Sequence, residues 1–147
     1  MIYFQFGAAV ILGLVLLGHP GILERGMPES HSTKIDSTLK NGIWGGPHII
    51  MEVTATGASI TYDCAVGVIE QKISLDSTGH FDVRGTHTKQ HAGPTRSDET
   101  PDRHPARYTG QVEGTNMTLL LELTDTKERV GTFSLKLGEQ PELTRCF

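Results

Sequence analysis

The chain has 147 residues, 17 Asp and Glu against 13 Lys and Arg, a formal net charge of −4, and 37% hydrophobic residues. That length suits one ordinary domain and argues against a large multidomain enzyme. The acidic balance, with no basic run, argues against nucleic acid or an anionic membrane surface as a partner.

The first segment differs in kind from the rest. Residues 2–18, IYFQFGAAVILGLVLLG, carry no charge and one amide, Gln5. About 20 apolar residues are usual for crossing a hydrocarbon core of roughly 30 Å. Residues 1–26 are therefore expected to be a signal peptide, with a membrane anchor as the alternative. The missing Lys/Arg start and the lack of a clean A-x-A cleavage site weigh against the signal. Residues 27–41 are rich in Ser, Thr and Lys and lose hydrophobic periodicity, so they are expected to form a flexible linker. Residues 42–147 remain as a single domain. The expected location is exported: periplasmic, secreted, or anchored facing outward, touching a membrane only through the N-terminal segment.

The domain opens on NGIWGGPHII, residues 41–50, with the only tryptophan, Trp44. Gly45-Gly46-Pro47 is expected to bend the backbone, Trp44 to plug one end of a barrel, and His48 to begin a strand. The competing reading is a glycine corner whose open amides and His48 hold an anion or ligand. Apolar residues then recur at every second position. HIIMEVTAT aligns Ile49, Met51, Val53 and Ala55, and ASITYDC aligns Ala58, Ile60, Tyr62 and Cys64. IEQKISLD alternates less strictly around Ile69, Ile73 and Leu75. DSTG, residues 76–79, predicts a hairpin turn before HFDVRG.

A polar stretch, residues 86–107, is expected to be a long loop. Beyond it ARYTGQV, MTLLLELT and FSLKL alternate again, and PELTRCF closes the chain. No segment after the N-terminus sustains a period of 3.6. The prediction is all-β: an antiparallel meander of about eight strands joined by tight turns, closed as an up-and-down β-barrel, with a two-sheet β-sandwich as the alternative.

Export also decides how the two cysteines read. In an oxidising compartment Cys64 and the penultimate Cys146 are expected to form one disulfide, pinning the C-terminus to the body. Unpaired thiols, or Cys64 as a nucleophile, are the alternatives.

Gly42-Ile43-Trp44 at the head of the first strand, with Arg145 near the end of the last, resembles the calycin superfamily of small barrels, which includes lipocalins, fatty-acid-binding proteins and avidins. In that superfamily a first-strand Trp closes one barrel end and packs against a late basic residue. Guanidinium stacking on indole gives the arrangement its physical basis. The segments WGGPHI at 44–49, YDCA at 62–65, the Gly-Pro at 93–94, PARY at 105–108 and the terminal RCF resemble small exported bacterial β proteins. That second resemblance implies a compartment and no activity.

The calycin resemblance implies a small ligand inside the barrel. An eight-stranded barrel is just wide enough to be filled by side chains or to hold one small ligand. The candidate ligand-binding residues are Trp44, His48, Tyr62, Tyr108 and Arg145. Avidin-type sites use several Trp residues, which argues against biotin here. The candidate metal ligands are His80, His87, His91 and His104, with Asp98, Glu99 and Asp102 nearby, a set suited to zinc or copper. Against a metal stands the absence of H-E-x-x-H and of Cys/His signatures. No G-x-S-x-G and no defensible Ser/His/acid spacing point to hydrolysis, so no catalytic residue is assigned and the reading leans away from an enzyme.

The expected function is a ligand-binding or interaction module of the cell envelope, with a small apolar molecule or an envelope protein as partner and no cofactor. A metal-binding protein or metal-dependent enzyme, and a structural protein with a filled barrel, are the alternatives.

Overall fold

The computed structural model describes residues 37–93, 98–144 and 146. The N-terminal apolar segment, most of the linker and Arg145 therefore lie outside the described residues. Among the described residues ten strands occur: β1 (Ser37–Thr38), β2 (Gly42–Gly46), β3 (Ile49–Val53), β4 (Ala58–Tyr62), β5 (Ala65–Ile69), β6 (Ser74–Leu75), β7 (His80–Lys89), β8 (Asp102–Glu113), β9 (Asn116–Leu123) and β10 (Arg129–Leu137). Eight of them close an antiparallel barrel in the order β10-β2-β3-β4-β5-β7-β8-β9. β1 and β6 form a separate two-stranded sheet. The pairing of β10 with β2, through Lys136 to Gly45 and Leu137 to Trp44, closes the sheet and excludes the sandwich.

Period-two burial builds this barrel. In β3 the side chains of Ile49, Met51 and Val53 point inward while Glu52 stays outside. In β9 Met117, Leu119, Leu121 and Leu123 are all buried and alternate with exposed or half-buried neighbours. Each such aliphatic side chain contributes about 1.5–3 kcal/mol of burial. A one-residue slip would turn the whole set to solvent, so the pattern also fixes register.

Local chemistry makes the turns. Pro47 and His48 alone join β2 to β3, and His48 has φ of 66°. Proline at the first central position and positive φ at the second suit a type II turn. Asp76 builds the turn before β7: its Oδ1 accepts the Thr78 and His80 amides at 2.8 and 3.0 Å. These bonds and that of the Thr78 hydroxyl, the largest cause, hold its carboxyl down at about 2.

The strand count matches the sequence expectation, but the roster differs. GIWGG is a strand of its own, so His48 sits in a turn instead of beginning a strand. AVGVI supplies β5, where IEQKISLD was expected, because Gly67 breaks the apolar pattern for a steric reason given below. Cys64 lies in the turn between β4 and β5, not on the strand. PELTRCF forms no strand among its described residues; it makes one parallel bridge, Glu142 to Pro47.

The expected long loop at 86–107 is shorter at both ends, because 86–89 and 102–107 continue the β7–β8 ladder. Residues 37–41 do not behave as a linker. Leu39 is 1% exposed and its amide donates to the Ile73 carbonyl at 3.0 Å.

Candidate functional site at the barrel mouth

The β2–β3 turn, the β4–β5 turn and the β7–β8 connection lie at one end of the barrel. An open cavity of about 260 Å³ sits there, lined by His48, Tyr62, Asp63, Cys64, Ala65, His87, Lys89, Val130 and Phe133. Closure sets β10 between β9 and β2, and from there Phe133 reaches Tyr62 across the barrel. The Tyr62 ring tilts against Phe133 with centroids 5.2 Å apart.

Two polar atoms on this wall are buried without a hydrogen-bond partner: the Tyr62 hydroxyl and His87 Nδ1. Their side chains belong to residues 7% and 2% exposed. Burial pushes the Tyr62 hydroxyl up, and the neighbouring Tyr108 adds to the effect, so Tyr62 stays a neutral donor. Burial, with the nearby charges of Lys89 and His104, holds the His87 imidazole below its ordinary value and therefore neutral at pH 7.

The rim is tied down. His48 Nδ1 pairs with Asp63 Oδ2 at 2.6 Å, and Asp63 Oδ1 accepts the Thr144 amide at 2.6 Å. The Thr144 bond, the largest cause, and His48 hold the Asp63 carboxyl below its usual range. Next to Asp63, Cys64 is bonded to Cys146. The C-terminal tail is thus fastened to the mouth by a covalent bond and a carboxylate clasp.

The expected ligand residues separate. Tyr62 and His48 stand at the mouth. Tyr108 lies deeper, its hydroxyl donating to the Thr86 carbonyl at 2.8 Å and burial raising it to about 12. Gly67 makes that possible, since a Cβ there would collide with the Tyr108 hydroxyl. Trp44 is fully buried and its Nε1 donates to the Lys40 carbonyl at 3.0 Å.

The corner's glycines admit backbone from β10 and the tail, and Gly45, Gly46 and Pro47 also line part of an open cavity of about 410 Å³. A Cβ on Gly45 would meet the Glu139 carbonyl, one on Gly46 the Ser134 carbonyl, and the His48 amide donates to Glu142 at 2.9 Å.

The four candidate metal-binding histidines are spread out. His80 starts β7, seven residues or about 23 Å of strand from His87. His91 pairs with Glu99 at 2.6 Å beyond the end of β7. His87 and His104 are register partners on neighbouring strands. His104 is engaged at both nitrogens, Nδ1 with Asp125 at 2.7 Å and Nε2 with Asp102 at 2.9 Å. Among the described residues no group of three or more His, Cys, Asp or Glu side chains is placed to hold a metal ion.

Sequence reasoning missed Asp63, Ala65, Lys89, Val130 and Phe133 as mouth residues. Only Phe133 carried a signal, its inward phase on the last strand. Comparison with protein-family models, with curated proteins and with solved structures finds no match.

Proposed function

We propose that this protein binds a small molecule: a compact, mostly apolar ligand with one polar head, held in the barrel mouth between Tyr62, His87 and Phe133. The observation that carries the reading is a pair of buried polar atoms without hydrogen-bond partners of normal geometry, Tyr62 Oη and His87 Nδ1, on two side chains that line an open cavity. An unsatisfied buried group costs about 1–3 kcal/mol. A ligand that supplies both partners recovers that cost and is oriented by it. At about 260 Å³ the cavity is below the roughly 300–1,000 Å³ typical of drug-sized ligands, which favours a compact one.

The same proposal places the protein outside the cytoplasm and in the calycin-like class. The Cys64–Cys146 bond supports an oxidising compartment. Next-neighbour pairing around a closed eight-stranded barrel, with Trp44 buried in the first barrel strand, supports the class. The site is one for binding, and no catalytic step is assigned to it.

A fragment screen on isotope-labelled, disulfide-intact protein tests the reading. Binders are expected to shift the His87 ring, the Ala65 methyl and the Val130 methyls together. Hits that cluster on the outer face of β7–β9, or a screen that moves no mouth residue, would overturn it.

A further inference from the structure

Resting on the mouth as a ligand site, we propose that the ligand's polar head is a carboxylate: the site is built for a small hydrophobic monoanion.

The first argument is donor chemistry. The Tyr62 hydroxyl is a neutral donor that makes no hydrogen bond of normal geometry to protein, with the Tyr108 hydroxyl as its polar neighbour. A neutral imidazole carries one N–H, and with His87 Nδ1 unpartnered no protein donor opposes placing that hydrogen on Nδ1. Two potential donors on side chains that line one cavity suit a group with two acceptor oxygens and no hydrogen of its own. A carboxylate has that inventory, and hydrogen bonds to an ionised acceptor are roughly twice as strong as neutral ones. An amide head would oppose its own N–H to one of the two donors.

The second argument is charge. Lys89 lies two residues beyond His87 on β7, hence on the same side of the strand, and lines the same cavity. Its ammonium has a loose ion pair with Glu128 at 3.8 Å, both side chains being about half exposed, so it can swing to a new anion. Asp63 is the one carboxylate on the described cavity wall, and both its oxygens are occupied, by His48 and by the Thr144 amide. Behind His87, Asp102 and Asp125 are engaged with His104. The wall therefore offers a cation with a weak hold elsewhere and carboxylates already matched.

The third argument is shape. Ala65, Val130, Phe133 and the Cys64 end of the disulfide give the rest of the wall an apolar character. In a cavity of about 260 Å³ this suits a ring or a short branched chain, not a long acyl tail.

Paired isosteres test the proposal on the disulfide-intact protein at low salt: benzoate against benzamide, and 3-methylbutanoate against 3-methylbutanamide, titrated while following the His87 ring and the Ala65 methyl. The carboxylates are expected to bind at least ten-fold more tightly than their amides. Lys89→Met is expected to cut that preference to under three-fold, and Lys89→Arg to keep it. Lys89 is exposed, and an unchanged unfolding midpoint will verify that both variants fold.

Amides that match or exceed the carboxylates at the mouth would overturn the anion inference and leave the binding reading standing. If neither class shifts a mouth residue, both fall.

Discussion

Tyr62 meets His87 edge to face, with ring centroids 5.3 Å apart and planes inclined at 69°, and neither the Tyr62 hydroxyl nor His87 Nδ1 has a hydrogen-bond partner of normal geometry. An aromatic contact of this kind contributes about 0.5–1.5 kcal/mol beyond its buried area. It also fixes the direction of both polar atoms before any ligand arrives, which lowers the ordering cost of binding.

Tyr62→Phe separates the two roles of that residue. The ring contacts to His87 and Phe133 survive and only the orphaned hydroxyl is lost. Urea unfolding is expected to show stability unchanged or higher by about 1 kcal/mol, because an uncompensated desolvation cost disappears. Affinity for mouth ligands is expected to fall at least five-fold. A stability loss above about 1 kcal/mol would show that the hydroxyl has a protein partner in solution.

Gly67→Ala attacks the packing beneath the mouth. The new methyl collides with the Tyr108 hydroxyl and displaces it from the Thr86 carbonyl. The expected cost is about 1–3 kcal/mol from overpacking and a broken buried hydrogen bond. In the Tyr108→Phe background the same substitution should cost less, because the clashing oxygen is gone. Additive effects in that double-mutant cycle would refute the contact.

The disulfide closes a sequence separation of 82 residues. In the chain-entropy model a loop of that size contributes about 4 kcal/mol. Cys64→Ser with Cys146→Ser is expected to lower stability by up to that amount while the protein stays folded, since the barrel ladder closes through β10 and β2 without the disulfide. Unfolding of the two proteins in the same buffer checks it. A difference below about 1 kcal/mol would mean that the Asp63 clasp and the Glu142 bridge hold the tail unaided.

His104 links stability to pH. Hydrogen bonds donated to Asp125 first, then to Asp102, raise its imidazole above the ordinary value of 6.5. A group raised on folding contributes stability that is complete below its unfolded value and lost as pH rises through the folded one. Asp125, lowered by His104, works in the opposite direction and loses its contribution as pH falls through its depressed value. The stability gap between the native protein and His104→Gln is therefore expected to be largest between about pH 4 and 6.5 and to shrink above. A gap that grows from pH 6.5 to 8.5 in thermal unfolding would contradict the assignment.

Much of the barrel was legible because strands with one buried face alternate strictly, as in β3, β4 and β9. Tyr62 and Tyr108 were placed inward by that phase alone. β5 was hidden because Gly67 replaces a side chain with space for the Tyr108 hydroxyl, contributed by a strand about 40 residues later.

The paired glycines at 45 and 46 read as a bend or an anion corner for the same reason. What they accommodate is backbone from Ser134 and Glu139, which no local pattern announces. His87 was noticed as one histidine in a polar loop. Its neighbours Lys89 and Phe133 were not joined to it, because only closure of β10 onto β2 makes them one wall.

The central claim, a ligand seated in the mouth, is tested most directly by filling that space. Ala65 lines the cavity, and Ala65→Leu extends its side chain into it; Val130→Phe does so from β10. Fragment binding measured by titration is expected to drop at least ten-fold in both variants, with unfolding midpoints close to the native one. Binding that persists undiminished in a folded, mouth-filled variant would contradict the account.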